Sequence, residues 1–204
     1  MENEELYHAV KGELRPGDII AFQGQALISN LIHLFTASPV SHVGVVRWAE
    51  HPLDTGGVRV TNSTIEGVVS GPQTVELETF LKTQYLKGRA WWLRLSPEIR
   101  KLIDWEKFYA FIGGCEGFVK YDIEGLVGFV ARQLPVLGSY LCQTNDPHQM
   151  FCDAYCIAIF ESCGILRGIN PRKMTPQDLV EMKIYQLYQQ IWGSTKELKN
   201  FNTV

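Results

Sequence analysis

Two side chains in this sequence, Cys152 and His42, are of the types that carry out thiol chemistry. Cys152 lies in the first turn of a helix predicted after the Asp146-Pro147 turn, where the helix dipole favours a thiolate. His42 begins a predicted strand rich in β-branched residues, and an imidazole can accept and return the thiol proton. The two residue types together predict nucleophilic catalysis, although a cysteine in an apolar helix is more often a small core residue.

A third polar group usually orients the imidazole of such a pair. Glu66 ends the strand that follows the strand of His42. If the two strands pair through the loop between them, the start of one lies beside the end of the other. Glu66 is then expected to accept a hydrogen bond from the His42 ring. The alternatives are a structural histidine at a strand start and a solvated glutamate before Gly67.

Other polar residues are candidates for lesser roles. Tyr121 could donate to an oxyanion, although a structural role is the preferred interpretation, and the backbone N–H of Cys152 is the better donor. His148 is the main rival base, but its turn setting predicts exposure. Cys152 and Cys156 share a helical face, and His148 is the only obvious further ligand for a metal. We therefore expect no metal and no cofactor.

The apolar pattern predicts the elements that must position these residues. Strands are expected at residues 19–22, 41–48, 58–66, 89–95 and 184–192. Turns are expected at residues 15–18 and at Gly71-Pro72. Helices are expected at residues 26–35, 75–81, 125–134 and 149–163, in a stretch of about fifteen to twenty residues from Pro97, and in a short stretch from Thr175. This order predicts an α+β fold, an antiparallel sheet with helices inserted between its strands.

Composition limits the class of protein. The chain has 204 residues, 46% of them hydrophobic and 20% charged, with a net charge of −3. These values predict one globular domain over residues 1–204 that does not bind nucleic acid. Apolar runs are too short for a membrane anchor, and the acidic start is not a secretory signal. We therefore expect free thiols and a cytoplasmic location, or a virion-associated one if the source is a phage.

Five short segments, in this order, resemble a known family. They are residues 14–20 (LRPGDII), 41–46 (SHVGVV), 65–68 (IEGV), 120–122 (KYD) and 150–152 (MFC). Together they resemble the circularly permuted branch of the NlpC-type papain-like superfamily, the YaeF/YiiX-like group. The resemblance runs from about residue 14 to residue 187 and covers most of the chain. The five-segment combination is fairly specific, whereas any one segment alone is weak.

The resemblance implies roles for the candidate residues. It implies Cys152 as nucleophile, His42 as base and Glu66 as the residue that orients the imidazole. It also implies a papain-like α+β fold in which the strand of the histidine comes first and the helix of the cysteine comes late. The sequence departs from the group after the nucleophile, where Asp153-Ala154 replaces the frequent Ser-Glu. A carboxylate beside the thiolate opposes its ionisation if it points inward.

Three functions follow as hypotheses. The first is a cysteine amidase or peptidase that forms a thioester with a peptide-type amide, such as a cell-wall peptide. The second is an acyltransferase or lipid hydrolase similar to lecithin:retinol acyltransferase, against which the absence of an apolar tail counts. The third is a binding module without activity. Tryptophans 48, 91 and 92 are candidates for an apolar substrate wall, although tryptophans are more often core; the sequence does not indicate an oligomeric state.

Overall fold

The structure is a computed structural model that describes residues 2–24, 39–48, 57–64, 71–116, 152–169, 174–198 and 201. The helices predicted at residues 26–35 and 125–134 lie outside these residues. The candidates Glu66, Tyr121 and His148 lie outside them as well, so their predicted roles stay predictions.

Six strands and six helices are present in the described part of the chain. The strands are β1 Ile19–Gln23, β2 His42–Trp48, β3 Arg59–Thr64, β4 Gly71–Glu76, β5 Arg89–Leu95 and β6 Tyr185–Trp192. The helices are α1 Glu2–Val10, α2 Leu77–Gln84, α3 Pro97–Lys101, α4 Trp105–Cys115, α5 Cys152–Ser162 and α6 Pro176–Val180. No helix among the described residues is long and apolar enough to cross a bilayer.

The strands form one antiparallel sheet in the order β4-β3-β2-β1-β5-β6. The sheet and its helices confirm the predicted α+β class. Strands β1, β2, β5 and β6 fall where the apolar pattern predicts them, and β3 pairs back on β2 as expected. The strand of His42 is therefore an interior strand, flanked by β1 and β3, with its backbone held on both sides.

The prediction of a turn at Gly71-Pro72 is wrong, whereas the helix predicted over residues 75–81 is present with a later start. Residues Gly71–Glu76 form β4, and the helix begins only at Leu77. Pro72 is tolerated because β4 is an edge strand of the described sheet, where a missing backbone N–H breaks no ladder. Glu76 is the N-cap of α2, since its carboxylate accepts from the backbone N–H groups of Glu78 and Thr79.

The long helix predicted from Pro97 is two helices, α3 and α4. Ser96 caps α3, and its hydroxyl accepts from the Ile99 backbone N–H. Asp104 then caps α4 by accepting from the Lys107 backbone N–H, and its own N–H donates to the Cys163 carbonyl. A capping carboxylate in the middle of the stretch divides the helix, because it satisfies the backbone donors of a new helix start.

The core has two layers, one on each face of the sheet. Helix α5 packs with α4 and α6 on the face of Trp91, whereas α1 and α2 pack on the face of Trp92. Both tryptophans are buried, which agrees with their interpretation as core residues. Trp48, at the end of β2, is 47% exposed. Helix α5 packs against β2 from one face, and Phe80 of α2 contacts the His42 ring on the other.

The predicted turn at residues 15–18 fixes the start of β1. Asp18 is fully buried, and its carboxylate accepts from Trp92 Nε1 at 2.9 Å and from the Leu95 backbone N–H at 3.0 Å. It also pairs with the Arg100 guanidinium. Gly17 has a φ of +88°, a conformation that favours glycine. These contacts tie β1 to β5 and α3, and β1 in turn pairs with β2.

Candidate active site

Cys152 is the first residue of α5, as the sequence predicts. The helix ends two residues before Gly164, which has a φ of +91° that suits a helix C-terminus. Helix α5 packs against β2 and β3, and Cys152 is only 3% exposed. The thiol is therefore at the positive end of a helix dipole but out of contact with bulk water.

His42 is the first residue of β2, and its ring is buried on the other face of the sheet. The ring lies 5.6 Å from the ring of Phe22 and 6.4 Å from that of Phe80, measured between centroids. Its Nε2 lies 3.1 Å from Oδ1 of Asn62 on β3. Two aromatic neighbours and one amide oxygen therefore fix the orientation of the imidazole.

Strands β2 and β3 separate near His42. Their pairing reaches Val45 opposite Thr61. Beyond that point Asn62 pairs with β4, and the start of β2 pairs, within the described residues, with β1 alone. The hydrogen bond from His42 to Asn62 bridges the two strands just beyond their last backbone pair.

Cys152 approaches the same end of β2 from the face of α5. The backbone N–H of Val43, the residue next to His42, lowers the pKa of the Cys152 thiol. The Cys152 side chain belongs to the apolar layer of Val43 and Val45, whereas the His42 ring belongs to that of Phe22. The thiol and the imidazole therefore lie at the same end of β2, on opposite faces of the sheet.

The hydrogen bond to Asn62 selects the ring nitrogen that acts as base. Because Oδ1 of Asn62 is an acceptor, Nε2 of His42 carries the hydrogen and donates it. The other nitrogen, Nδ1, is then the basic one.

Both groups of the pair are neutral at pH 7. Burial lowers the pKa of His42 to about 4, although the hydrogen bond to Asn62 acts in the opposite direction. Burial also raises the pKa of the Cys152 thiol, with a further rise from the Asp153 carboxylate. The hydrogen bond from Val43 lowers that pKa but does not offset the other two causes. The resting pair is therefore thiol and imidazole, not thiolate and imidazolium.

Asp153 points inward, which is the condition under which the sequence predicts that it opposes thiolate formation. Its carboxyl group is part of a side chain that is 4% exposed, and its Oδ1 lies 4.0 Å from the sulfur of Cys152. Burial raises the pKa of Asp153 to about 7. A carboxyl group that ionises close to pH 7 therefore lies against the candidate nucleophile.

The structure brings Cys152 and His42 to one end of β2, together with Asn62, a residue that the sequence reasoning missed. A signal for Asn62 existed, because the alternating pattern predicts residues 62, 64 and 66 on the same side of a strand. Singling out Asn62 requires the register between β2 and β3. The amide Nδ2 of Asn62 is buried and has no hydrogen-bond partner among the described residues.

The sequence also predicts free thiols and no metal site. Within the described ranges, no group of three or more His, Cys, Asp or Glu residues is placed to hold a metal ion. The cysteines at 115, 152, 156 and 163 are free thiols, which agrees with the prediction for these four. Cys156 and Cys163 are buried in the core layer of α5, as expected from their apolar neighbours.

Comparisons with known proteins give distant similarities among solved structures. No protein-family model matches the chain, and no curated protein matches it. Among solved structures, the chain is similar to the metalloprotein YiiX from Escherichia coli O157:H7, described as DUF1105. The identity is 16%, the TM-score is 0.47, and the similarity covers 75% of this chain and 68% of that chain. YiiX gives its name to the group that the sequence motifs resemble, but a similarity at this level carries no argument about activity.

Proposed function

We propose that this protein is a cysteine hydrolase of the permuted papain-like type that cleaves a peptide-type amide bond. Cys152 is the nucleophile, His42 is the base and Asn62 orients the imidazole. The observation that carries the proposal is the packing of α5, which begins at Cys152, against β2, which begins at a histidine whose ring is fixed by Asn62. Glu66 stays a prediction for a further contact to this site.

In the first step the Cys152 sulfur attacks the carbonyl carbon while the thiol proton moves to Nδ1 of His42, and a tetrahedral oxyanion forms. The backbone N–H of Cys152, at the first residue of α5, donates to that oxyanion. As the intermediate collapses, His42 gives the proton to the leaving amine. Water then hydrolyses the thioester, again with His42 as base.

Because Cys152 and His42 are both neutral at rest, the first step proceeds without a preformed ion pair. Because burial disfavours both the thiolate and the imidazolium, an ion pair is not preformed. The proton therefore moves to His42 as the sulfur attacks, and charge develops only when a substrate carbonyl is present to take it. This behaviour is general-base catalysis by His42, which typically contributes a factor of about 10²–10⁴ to the rate.

The test is to trap the acyl-enzyme. The protein is mixed with p-nitrophenyl acetate or with an activated peptide ester, quenched in acid, and analysed by intact-protein and peptide mass spectrometry. We expect one acyl group on Cys152 in the native chain. Cys156→Ala is the matched control, because Cys156 lies four residues further along the same helix and is fully buried. It should acylate normally.

Two variants complete the test. Cys152→Ala should lose the adduct, and His42→Gln should form it more slowly by about 10²–10⁴. An adduct that persists in Cys152→Ala would place the nucleophile elsewhere. If neither p-nitrophenyl acetate nor the activated peptide ester gives an adduct with the native chain, the hydrolase proposal fails and a binding module is favoured. Acylation by the ester without hydrolysis of peptide substrates would favour an acyltransferase.

A further inference from the structure

The contact between Asp153 and Cys152 has no role in the reaction described above. The thiol of Cys152 donates to Oδ1 of Asp153 across 4.0 Å, and both side chains are buried in the first turn of α5. A carboxyl group this close to the sulfur interacts directly with the reacting atom. Because water is excluded, its charge is screened less than a surface charge would be.

Among the described residues, no basic side chain compensates the charge of Asp153. On α5 its titratable neighbours are Cys152 and Cys156, both thiols with raised pKa values. On α6 it faces Asp178, a second carboxylate, which raises its pKa further. On β2 the ring of His42 lies on the other face of the sheet and is neutral at pH 7.

The two remaining elements packed against α5 add no cation to this site. Strand β3 presents the uncharged side chains of Thr61 and Asn62. On α4, Cys115 and the neighbouring Glu116 act on Tyr155 rather than on Asp153. Only the backbone N–H groups of Asp153 and Ala154 favour the ionised carboxyl, and burial outweighs them. No basic side chain among the described residues acts on Asp153.

We propose that Asp153 is a proton-dependent brake on the Cys152 nucleophile. Its carboxylate suppresses thiolate formation, and its protonated form permits it, since a carboxylic acid carries no charge and can donate its O–H to the sulfur. The inference rests on the proposed function, because it takes Cys152 as the nucleophile. It predicts that the site is regulated by pH through a residue beside the nucleophile, in addition to the His42 base.

Counting protons gives the expected pH profile. Below the pKa of Asp153, about 7, raising the pH removes a proton from the thiol, and the thiolate fraction rises about tenfold per pH unit. Above this pKa, the dominant form has the Cys152 thiol and the Asp153 carboxylate, whereas the reactive form has the Cys152 thiolate and the Asp153 carboxylic acid. These two forms hold the same number of protons. The ratio of the two forms is then independent of pH. Thiolate supply therefore levels off in the native chain.

The experiment measures the rate at which iodoacetamide alkylates Cys152, by peptide mass spectrometry, from about pH 5 to about pH 9. In this reaction the sulfur–carbon bond forms as iodide leaves, and the thiol proton goes to solvent. We compare the native chain with Asp153→Asn, which keeps the shape but never ionises. Glu161→Gln is the matched control, since it makes the same change near the other end of α5.

We expect the native rate and the Glu161→Gln rate to level off near pH 7. The Asp153→Asn rate should keep rising by about tenfold per pH unit, so that its advantage over the native chain grows across the alkaline range. If Asp153→Asn does not fold, Asp153→Ser carries the same expectation.

The failure of this inference is distinguishable from the failure of the proposed function. Identical pH profiles for the native chain and Asp153→Asn, with Cys152 still reacting faster than Cys156, would overturn the brake and leave the hydrolase proposal standing. A Cys152 that reacts no faster than Cys156 in either protein at any pH would overturn both.

Discussion

The imidazole of His42 is fixed from three directions. Phe22 and Phe80 pack around the ring, and Asn62 accepts the hydrogen on Nε2. A ring held in this way has one free basic nitrogen and little freedom to turn away from it. Because burial lowers its pKa to about 4, the ring is unprotonated at pH 7, which is the form that a general base needs, and it is a weaker base than a solvated imidazole.

The first prediction concerns Asn62. Asn62→Ala should destabilise the fold by about 1–3 kcal/mol, because the buried Nε2–H of His42 loses its acceptor. It should also slow the alkylation of Cys152, since the ring is no longer oriented. Urea unfolding and labelling with iodoacetamide measure the two effects separately.

Ser96→Ala is the control for Asn62→Ala. It removes a buried hydrogen bond away from β2 and α5, because the Ser96 hydroxyl accepts from the Ile99 backbone N–H at the start of α3. It should lower stability through the lost helix cap and leave Cys152 labelling unchanged. Equal loss of labelling in both variants would mean that the effect comes from stability and that Asn62 does not position His42.

The residue scale also shows the limit of the sequence reasoning. Cys152 and His42 could be predicted as a pair from their residue types and from their places near the start of a predicted helix and a predicted strand. The alternating pattern predicts Asn62 and Glu66 on the same side of one strand, so it does not single out Asn62 as a partner of the ring. Only the register of β3 against β2 places the amide of Asn62 opposite the ring, and register depends on long-range packing.

At the scale of elements, helix N-caps set the boundaries that the apolar pattern predicts wrongly. The pattern located β1, β2 and β5 because their buried residues run continuously. It misplaced the start of α2, since Glu76 caps that helix from the end of an edge strand. It also merged α3 with α4, because the capping action of Asp104 is a local hydrogen bond that periodicity does not record.

The second prediction concerns α4, which carries two adjacent glycines near its end. A Cβ added to Gly113 or Gly114 meets nothing within 4 Å. Replacing either by alanine should therefore stabilise the protein by about 0.5–1 kcal/mol, because glycine loses more backbone entropy in a helix. Thermal or urea unfolding measures the change.

Gly44→Ala serves as the opposite control. A Cβ at Gly44 would lie 2.5 Å from Cγ1 of Val60, so this substitution should destabilise the sheet beside His42. Destabilisation by Gly113→Ala or Gly114→Ala would show that these glycines serve a packing role that the described residues do not reveal.

For the whole molecule, one buried carboxylate links distant parts of the chain. Asp18 joins the start of β1 to Trp92 and Leu95 of β5 and to Arg100 of α3. Strand β1 then pairs with β2 up to Phe22 opposite His42. The position of the candidate base therefore depends on a network at the opposite end of β1.

The third prediction concerns this network. Asp18→Ala should cost about 3–5 kcal/mol of unfolding free energy, because Arg100 and the Trp92 N–H lose a buried partner. Glu13→Ala is the control, since it removes one partner of the more exposed pair with Arg94 and should cost less than about 1 kcal/mol. Similar losses in the two variants would show that Asp18 does not hold the elements together.

The central claim is that Cys152 and His42 act as a pair, and relative alkylation rates test it most directly. Cys152 and Cys156 are labelled with iodoacetamide in the same sample, in the native chain and in His42→Gln. Glutamine can still hydrogen-bond to Asn62 but cannot act as a base at Nδ1. We predict that Cys152 reacts faster than Cys156, and that His42→Gln lowers this advantage by at least about tenfold. Equal rates for the two thiols, or an advantage that survives His42→Gln, would contradict the account.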